Sequence, residues 1–254
     1  MGIKYKVDET FFDNWTSGMA YVLGYIYADG SLEDASYLRG KYLRVSSTEE
    51  SSIIKIRELL KSEHSITIRE PRWGTFFGGK RYQSKKAYLL RIGSHKIYNS
   101  LLKIGLYPNK SLTIKFPIVP KKYLPHFVRG YFDGDGCVSL YRAPGKYGQQ
   151  IMKKLSVIFT SGSFSFLETL GLILVYQAGL KHYKVYKGWN RSFQLRYSTV
   201  DSIKIFKFIY NQTGKDLFLK RKFAVFKKYF SLQPRRIDKE IATIFKIAYG
   251  AVAK

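Results

Sequence analysis

Apolar and polar residues follow two different periods along this chain, and together the periods predict a mixed α+β fold. Leu43 and Val45 alternate with polar neighbours, which is the period of a strand with one buried face. Ile53, Ile56 and Leu60 instead recur three or four residues apart, which is the period of a helix with one apolar side. Both periods occur in both halves of the chain.

The predicted elements come in the same order twice. In the first half they are a helix ending near residue 29, strands near 31–38 and 41–47, a helix from 49, strands near 64–72 and 82–92, and a helix from 94 to 105. In the second half they are a helix ending near 135, strands near 137–142 and 153–161, a helix over 163–178, strands near 181–187 and 191–197, and helices near 200–210 and 218–230. This order predicts two pseudo-symmetric αββαββα repeats, over residues 1–114 and 115–230.

Residues 231–254 have no counterpart in the first half. Apolar residues at helical spacing there predict one amphipathic helix, and they are Ile241, Ile244, Phe245 and Ala248. We expect this C-terminal helical extension to pack on the body of the protein.

A nine-residue stretch occurs once in each half. Residues 22–30 and 128–136 share the pattern Gly-Tyr-(Ile/Phe)-x-small-Asp-Gly. In each copy an apolar helix ends at an aspartate, and two small residues lie four positions apart on one face of that helix. The small pairs are Gly24 with Ala28 and Gly130 with Gly134. These faces predict that the two helices pack against each other at close range.

The predicted packing of the two helices brings Asp29 and Asp135 side by side. Adjacent carboxylates repel each other, and each also lies at the negative end of its own helix dipole. Bound divalent cations relieve both effects, and metal ions held by a carboxylate pair are typical of enzymes that hydrolyse phosphodiesters. Gly30 and Gly136 are expected in the left-handed conformation that closes a helix. A single Asp-Gly is more simply a turn after a core helix, but the same glycine-to-aspartate spacing in both copies favours a metal site.

The charge of the chain indicates a polyanionic partner. Lys and Arg number 44 against 18 Asp and Glu, which gives a formal net charge of +26. The excess is spread along the whole chain, and nucleic acid is the partner that fits it best. An anionic membrane surface and the compositional bias of an AT-rich genome are the alternatives.

Other kinds of site and compartment are disfavoured by the composition. Cys137 is the only cysteine, which excludes an internal disulfide and a multi-cysteine zinc site. The four histidines have no metal-ligand spacing and are expected on the surface or in strands. No run of about 18 apolar residues exists to span a membrane, and residues 1–6 lack the apolar segment of a signal peptide. An intracellular location is expected, in a bacterial cytoplasm or an organelle.

The two nine-residue stretches resemble the LAGLIDADG motif, and two copies in one basic chain are similar to the single-chain LAGLIDADG homing endonucleases. The resemblance covers nearly all of residues 10–230. It implies a pseudo-two-fold monomer in which the motif helices form the central interface and two four-stranded antiparallel sheets form a saddle over DNA. It also implies that Asp29 and Asp135 bind the catalytic metal ions.

The resemblance implies Mg²⁺ as the cofactor, with Mn²⁺ or Ca²⁺ able to substitute for binding. Metal ions between Asp29 and Asp135 are expected to contact the scissile phosphates of both strands, to activate water and to stabilise the leaving 3′ oxygen. The backbone oxygens of Ala28 and Gly134 are expected as further ligands. Asp133, at the sixth motif position, is expected to be a secondary carboxylate rather than a ligand.

The two nine-residue stretches depart from the LAGLIDADG motif in two ways. The sixth position is Tyr27 in the first copy, and Leu23 and Arg129 stand where the motif has alanine. These differences are expected to alter packing and to leave the metal position intact.

The family also places a basic residue beside the active-site water in each half. The candidates here are Lys110 in the first half and either Lys220 or Lys222 in the second. The alternative for any one of them is a solvated side chain or a phosphate contact. Ser47 and Ser161, at the ends of matching strands, are either near the site or helix caps, and capping is the favoured interpretation.

Base contacts are expected from the outward strand faces, because a two-stranded ribbon fits the major groove. The candidates in the first half are Ser31, Glu33, Tyr42, Arg44, Ser46, Arg69, Gln83, Lys85 and Arg91. In the second half they are Ser139, Tyr141, Lys154, Ser156, Thr160, Lys184, Tyr186, Gln194 and Arg196. Arg91 and Arg196 are the strongest pair, since they lie 62 and 61 residues after their motif aspartates. Some of these residues are expected to contact only phosphates.

The favoured function is a sequence-specific, metal-dependent endonuclease that cuts double-stranded DNA as a monomer at a long, nearly asymmetric site. The resemblance implies 3′ overhangs and mobility of the host intron or reading frame. Two alternatives stay open, an RNA maturase that helps its host intron to splice and a DNA-binding regulator on a degenerate nuclease scaffold. Both aspartates are present, which favours the nuclease.

Overall fold

The computed structural model describes residues 5–247, apart from residues 36, 38–39, 76–78, 80, 145, 148–149 and 212–216. The side chains of residues 143 and 150–153 are also outside the description. Ala248, predicted for the C-terminal helix, lies outside the described residues.

The first repeat follows the predicted order of elements. It consists of α1 (Ser17–Asp29), β1 (Gly30–Ala35), β2 (Gly40–Ser47), α2 (Glu50–Leu59), β3 (Ile66–Arg69), β4 (Trp73–Thr75), β5 (Arg81–Gln83), β6 (Ala87–Gly93) and α3 (His95–Ile104). Thr16 and Ser94 cap α1 and α3, since their side chains accept hydrogen bonds from Met19 N and Ile97 N. Gly105, with φ of 101°, ends α3 in the left-handed conformation.

The second repeat has the same order without the two short strands. It consists of α4 (Leu124–Asp135), β7 (Gly136–Pro144), β8 (Gln150–Ser161), α5 (Phe164–Ala178), β9 (Val185–Lys187), β10 (Phe193–Tyr197) and α6 (Thr199–Tyr210), and is followed by α7 (Lys220–Leu232) and α8 (Lys239–Phe245). The prediction of two α+β repeats is therefore confirmed.

The two four-stranded sheets have identical topology. Their strand orders are β1-β2-β6-β3 and β7-β8-β10-β9, and every pair is antiparallel. The predicted alternation holds in β2, where Leu43 and Val45 are buried, and in β8, where Leu155, Val157 and Phe159 are buried. Helices cover these apolar faces, and the opposite faces remain open.

The second hairpin of the first repeat differs from the prediction. The expected strands near 64–72 and 82–92 are each interrupted, and β4 and β5 form a separate two-stranded sheet. Pro71 lies at the interruption, and proline cannot donate a hydrogen bond to a neighbouring strand. The predicted contact residue Gln83 therefore lies in the separate hairpin, and Lys85 lies between β5 and β6.

Helices α1 and α4 pack at the centre of the molecule through their glycines. A Cβ atom on Gly24 would lie 2.0 Å from the carbonyl oxygen of Phe127, and one on Gly130 would lie 2.0 Å from that of Tyr21. The two backbones therefore touch directly, as the small residues predicted. The near-identical contacts on both sides show the pseudo-two-fold relation of the repeats.

The prediction of left-handed glycines after the two aspartates was wrong. Gly30 (φ −100°) and Gly136 (φ −82°) are both extended and begin strands. Glycine is required at both positions because a side chain would clash with the last turn of the preceding helix. A Cβ would lie 2.7 Å from the carbonyl oxygen of Ile26 in the first repeat and 2.4 Å from that of Phe132 in the second.

The C-terminal extension packs on the second repeat, as predicted. Ile241 and Ala242 of α8 are buried, and the ring of Phe245 lies 5.4 Å from that of Phe206 in α6.

Two histidines depart from the expectation of surface or strand positions, since His126 is buried within α4 and His64 is buried after α2. None of the described helices is both long and apolar enough to cross a membrane.

Candidate active site

Asp29 and Asp135 are the last residues of the two packed helices. A Cβ built on Gly134 would lie 2.4 Å from the Ala28 Cβ and 3.3 Å from Oδ2 of Asp29, so the Asp29 carboxylate lies against the last turn of α4. Asp29 is half-buried and Asp135 is exposed. The strands β1 and β7 begin at the next residue in each case. The carboxylates therefore lie where the two sheets start.

The environment resists ionisation of both carboxylates. Burial, and after it the charge of Asp135, raises the pKa of Asp29 to about 6. The pKa of Asp135 is also raised, because neighbouring protein atoms displace part of the water around its carboxylate although the residue as a whole is exposed. Lys110 and Lys222 act in the opposite direction on both groups. The pair is thus an anionic site that is only partly neutralised by the protein.

One buried lysine lies at the end of each central helix. Nζ of Lys110 donates to the carbonyl oxygen of Tyr27 at 2.8 Å. Nζ of Lys222 lies within hydrogen-bond distance of the carbonyl oxygens of Phe132 (2.6 Å), Asp133 (2.8 Å), Gly134 (3.2 Å) and Gly136 (2.6 Å), which share its three N–H groups. The Phe132 carbonyl also accepts from Gly136 N, and the ammonium groups supply further donors to the carbonyls around both helix ends. Their positive charges interact favourably with the negative ends of the helix dipoles.

The structure distinguishes between the two lysines considered for the second repeat. Lys222 is buried beside the carboxylates, whereas Lys220 is exposed at the first turn of α7. Burial lowers the pKa of Lys222 to about 8 and also lowers that of Lys110. With this pKa, Lys222 stays largely protonated at neutral pH.

The donor atoms around Asp29 and Asp135 suit a hard divalent cation. They are carboxylate and carbonyl oxygens, which Mg²⁺ prefers, and Mg²⁺ commonly binds one or two carboxylates with water and substrate phosphates completing its shell. The Gly134 carbonyl, expected as a ligand, already accepts from Lys222. No group of three or more His, Cys, Asp or Glu among the described residues is placed to hold a metal ion. The residues therefore fit a cation held by two carboxylates and external oxygens.

Asp133 lines the same cavity as Asp29, but its carboxylate is bound by other groups of the protein. It is buried, and its Oδ2 accepts hydrogen bonds from the Tyr21 hydroxyl (2.9 Å) and from Leu219 N (2.8 Å). This matches its expected place as a secondary carboxylate.

Three further contacts near the carboxylates were missed by sequence reasoning. Nε of Arg221 donates to Oε1 of Glu49 at 2.9 Å, and this pair joins the two repeats. Both residues line a cavity of about 260 Å³ that also contains Asp29 and Gly134. The motif tyrosines tie each helix to the end of a strand, since the hydroxyl of Tyr25 donates to Ser47 Oγ and that of Tyr131 donates to the Thr160 carbonyl. The tyrosine shared by both motif copies was the available signal for the last two contacts.

Ser47 and Ser161 lie at the ends of matching strands, as predicted. Their hydroxyls accept from Glu49 N and Ser163 N, which stabilises the turns before α2 and α5. The capping interpretation was wrong, because the residues at the N-cap positions are Glu49 and Ser163 themselves.

Every predicted base-contact residue is exposed or half-buried. The pairing register places Arg91 opposite Arg44 and Arg196 opposite Ile158, which are equivalent positions in the two sheets. Arg91 is held by Glu33, with Nε to Oε2 at 3.2 Å and Nη2 to Oε1 at 3.1 Å.

Comparison with known proteins agrees with this geometry. A family model described as the LAGLIDADG-like domain matches residues 123–209. The homing endonuclease I-WcaI, solved bound to its DNA recognition sequence, has a TM-score of 0.53 at 12% identity over 84% of this chain and 90% of that chain. The meganuclease I-SmaMI, solved on uncleaveable DNA, has a TM-score of 0.54 at 13% identity over 89% and 95%. Mesophilic variants of the homing endonuclease I-DmoI have a TM-score of 0.50 at 18% identity over 78% and 97%.

Two curated relatives are much longer than this chain. Both are named probable translation initiation factor IF-2. The protein of Thermococcus kodakarensis is 34% identical over 104 residues, which is 38% of this chain and 8% of that protein. The protein of Methanocaldococcus jannaschii is 26% identical over 200 residues, which is 74% of this chain and 14% of that protein. The chain thus spans only a small part of either relative. Taken together, the matched domain and the shared architecture show that this chain contains a LAGLIDADG-like domain and has the two-repeat fold of the LAGLIDADG homing endonucleases.

Proposed function

We propose that this chain is a sequence-specific endonuclease that hydrolyses both strands of a long, nearly asymmetric DNA duplex as a monomer. One observation carries the proposal: the carboxylates of Asp29 and Asp135 lie together at the ends of pseudo-symmetric helices, each beside a buried lysine. Each helix end thus carries one aspartate and one lysine, and two such equivalent sets, related by the pseudo-two-fold axis, suit the cleavage of the two strands of a duplex.

The surface supports double-stranded DNA as the substrate. Two sheets of equal topology start at the carboxylates, and their open faces carry most of the predicted contact residues. The net charge of +26 favours a polyanion. I-WcaI and I-SmaMI, which share the fold, were solved with DNA.

In the proposed reaction Asp29 and Asp135 hold divalent cations, with Mg²⁺ as the expected metal. Such ions, when bound, polarise the phosphodiester and lower the pKa of coordinated water. The protein's part is to fix the two carboxylates, which the glycine contacts between α1 and α4 accomplish. Lys110 and Lys222 each present an ammonium at one half of the site, where it stabilises negative charge that develops on a scissile phosphate. The expected products carry 3′ overhangs.

The RNA maturase alternative gains no support from the described residues. RNA binding does not need two crowded carboxylates at a helix interface, and these carboxylates cost stability when no cation is present.

Selection of DNA from a random duplex library tests the proposal. Binding is selected in Ca²⁺, and the recovered duplexes are then incubated with the protein and Mg²⁺. We expect cleavage of both strands by the wild type and by Glu168→Gln, which removes an exposed carboxylate on α5. Asp29→Asn and Asp135→Asn should bind the same duplexes without cutting them. Cleavage by either asparagine variant at the wild-type rate would overturn the assignment.

A further inference from the structure

A charged side chain is completely buried on the helix that ends at Asp135. Arg129 has no exposed surface. Its Nε donates to the Leu217 carbonyl at 2.6 Å, its Nη1 donates to the Ile209 carbonyl at 2.6 Å, and its Nη2 lies 2.8 Å from Nδ1 of His126. Burial of a charge is costly unless hydrogen bonds compensate it, so this arrangement needs a reason beyond packing.

Asp133 lies one helical turn after Arg129 and binds the same neighbouring segment. Its Oδ2 accepts from Leu219 N, while Arg129 holds the carbonyl of Leu217. Tyr21 of α1 donates to the same Oδ2. Helix α4 thus grips residues 217–219 from two adjacent turns, and we call Arg129 and Asp133 the clamp.

The segment that the clamp holds lies directly before α7. This helix starts at Lys220, directly after the gripped segment, and Lys222 lies in its first turn. The three N–H groups of Lys222 are shared among four carbonyls around the end of α4, and this requires that turn to be placed accurately. Arg129 and Asp133 therefore attach α4 to the segment before α7, and Lys222 attaches the first turn of α7 to the end of α4.

The first repeat has uncharged residues at the two motif positions that form the clamp in the second. The corresponding motif positions are Leu23 and Tyr27. Lys110, the lysine of that half, begins a single 3₁₀ turn over Lys110–Leu112 and donates to the Tyr27 carbonyl. The two lysines are thus positioned by different means.

We infer that Arg129 and Asp133 are positioning residues for Lys222 and that they control hydrolysis of one DNA strand only. This inference rests on the proposed function, because strand cleavage is the reaction that Lys222 serves.

Strand-resolved cleavage tests the inference. A duplex with the selected site, labelled at both ends, is cut in Mg²⁺, and the rate on each strand is measured on denaturing gels. We expect Lys222→Gln and Asp133→Ala to slow the same strand at least tenfold while the other strand changes by less than about threefold. Lys110→Gln should slow the opposite strand. Asp133→Asn should recover most of the rate, since its amide oxygen accepts both hydrogen bonds.

A matched control separates positioning from general stability. Ser202 is buried in the second repeat, where it accepts from Val157 N and donates to the Tyr197 carbonyl, and it does not touch the clamp. Ser202→Ala should lower the melting temperature without strand bias. Arg129→Lys provides a second clamp variant if Asp133→Ala does not fold, and it should show the same strand bias because one ammonium cannot reach both carbonyls.

The outcomes are distinguishable. Equal slowing of both strands by the clamp variants, or rates like those of Ser202→Ala, would overturn the inference and leave the proposed function standing. No cleavage by the wild type with any divalent metal would instead contradict the proposed function.

A second inference comes from an independent difference between the two sheets. Arg44 and Arg91 face each other on the open side of the first sheet, and Glu33 contacts both, with its carboxylate 3.6 Å from Nη1 of Arg44. The Arg91 guanidinium also lies 3.4 Å over the ring of Tyr42. The Arg91 guanidinium is therefore held in place, and Arg44 lies beside it with one ion-pair contact to Glu33.

The second sheet has an apolar residue at the position of Arg44. Gly30 pairs with Val45 and Gly136 with Phe159, and this register makes Ile158 the equivalent of Arg44. Ile158 is half-buried on the open face and pairs with the exposed Cys137. Arg44 of the first sheet thus corresponds to an apolar side chain in the second.

We propose that Arg44 and Ile158 read different bases at symmetry-related positions of the target. Arginine recognises the O6 and N7 acceptors of guanine, whereas apolar side chains contact the methyl group of thymine. The half-site under the first sheet should carry guanine at this position, and the half-site under the second should carry thymine. The proposal rests on DNA being the substrate.

Selection with reciprocal variants tests this assignment. Ile158→Arg should change the preference at one target position from thymine to guanine, and Arg44→Ile should make the reverse change in the other half, each by roughly tenfold or more. Unchanged preferences, or a uniform loss of affinity, would refute it. Failure to enrich any DNA with the wild type would count against the proposed function instead.

Discussion

Replacing Asp29 with asparagine should stabilise the metal-free protein at neutral pH. The Asp29 carboxylate is half-buried beside Asp135, and these surroundings raise its pKa from 3.8 to about 6. Between these two pH values the folded protein binds more protons than the unfolded chain, so the stability falls as the pH rises. The full cost is present above pH 6, where the carboxylate is ionised in both states.

The magnitude follows from the size of the pKa shift. A shift of about two units corresponds to about 3 kcal/mol above pH 6.5 and to about half of that near pH 5. Asparagine carries no charge at any pH, so the variant avoids this cost. The gain in the free energy of unfolding should thus be about 2 to 3 kcal/mol at pH 7.5 and should vanish below pH 4.

Urea unfolding in EDTA between pH 4 and 8 measures this gain. Glu168→Gln, which removes an exposed carboxylate on α5, should stay within about 0.5 kcal/mol of the wild type at every pH. A loss of stability in Asp29→Asn at pH 7.5, or a gain that does not depend on pH, would show that burial and Asp135 do not disfavour the ionised Asp29 carboxylate in the fold.

Three further predictions concern the same site. Mg²⁺ should raise the melting temperature of the wild type but not of Asp29→Asn, since only a protein that binds the ion is stabilised by it; equal shifts would contradict this. Gly24→Ala should lower the free energy of unfolding by more than about 3 kcal/mol or prevent folding, because the added Cβ meets the Phe127 carbonyl oxygen at 2.0 Å. In the control Gly18→Ala, on the same helix, the added Cβ lies 3.4 Å from Leu59, so urea unfolding should show a neutral or stabilising effect. Burial lowers the pKa of Lys222 from its ordinary value of 10.5 to about 8 in the folded protein. Between these pH values the unfolded chain binds more protons, so the stability of the wild type rises with pH. Lys222→Met should lack this rise when the unfolding of both proteins is measured between pH 8 and 10.

The central helices and their aspartates could be predicted because their signal is local and repeated. The apolar run, the small residues four apart and the final aspartate occur twice with the same spacing, and close helix packing follows from that pattern alone. The buried faces of the strands could also be predicted from the sequence, since Leu155 and the apolar residues near it alternate with polar residues.

The contacts that set the site depend on distant parts of the chain. Lys220 and Lys222 have similar sequence surroundings, and only the phase of α7 against α4 places Lys222 at the helix end. Arg129 looked like a substitution in an apolar motif, because the carbonyls that it binds lie 80 and 88 residues away along the chain. Gly30 and Gly136 were assigned to the wrong conformation, since a steric requirement for glycine is indistinguishable from a conformational one until the neighbouring atoms are known.

Anomalous diffraction from Mn²⁺ in crystals of the protein with its selected DNA tests the shared metal site most directly. We expect anomalous peaks within about 2.5 Å of carboxylate oxygens of both Asp29 and Asp135, and next to the scissile phosphates. Ordered carboxylates without a peak between them, or peaks only at other residues such as Glu49, would contradict the assignment of these aspartates as the metal ligands.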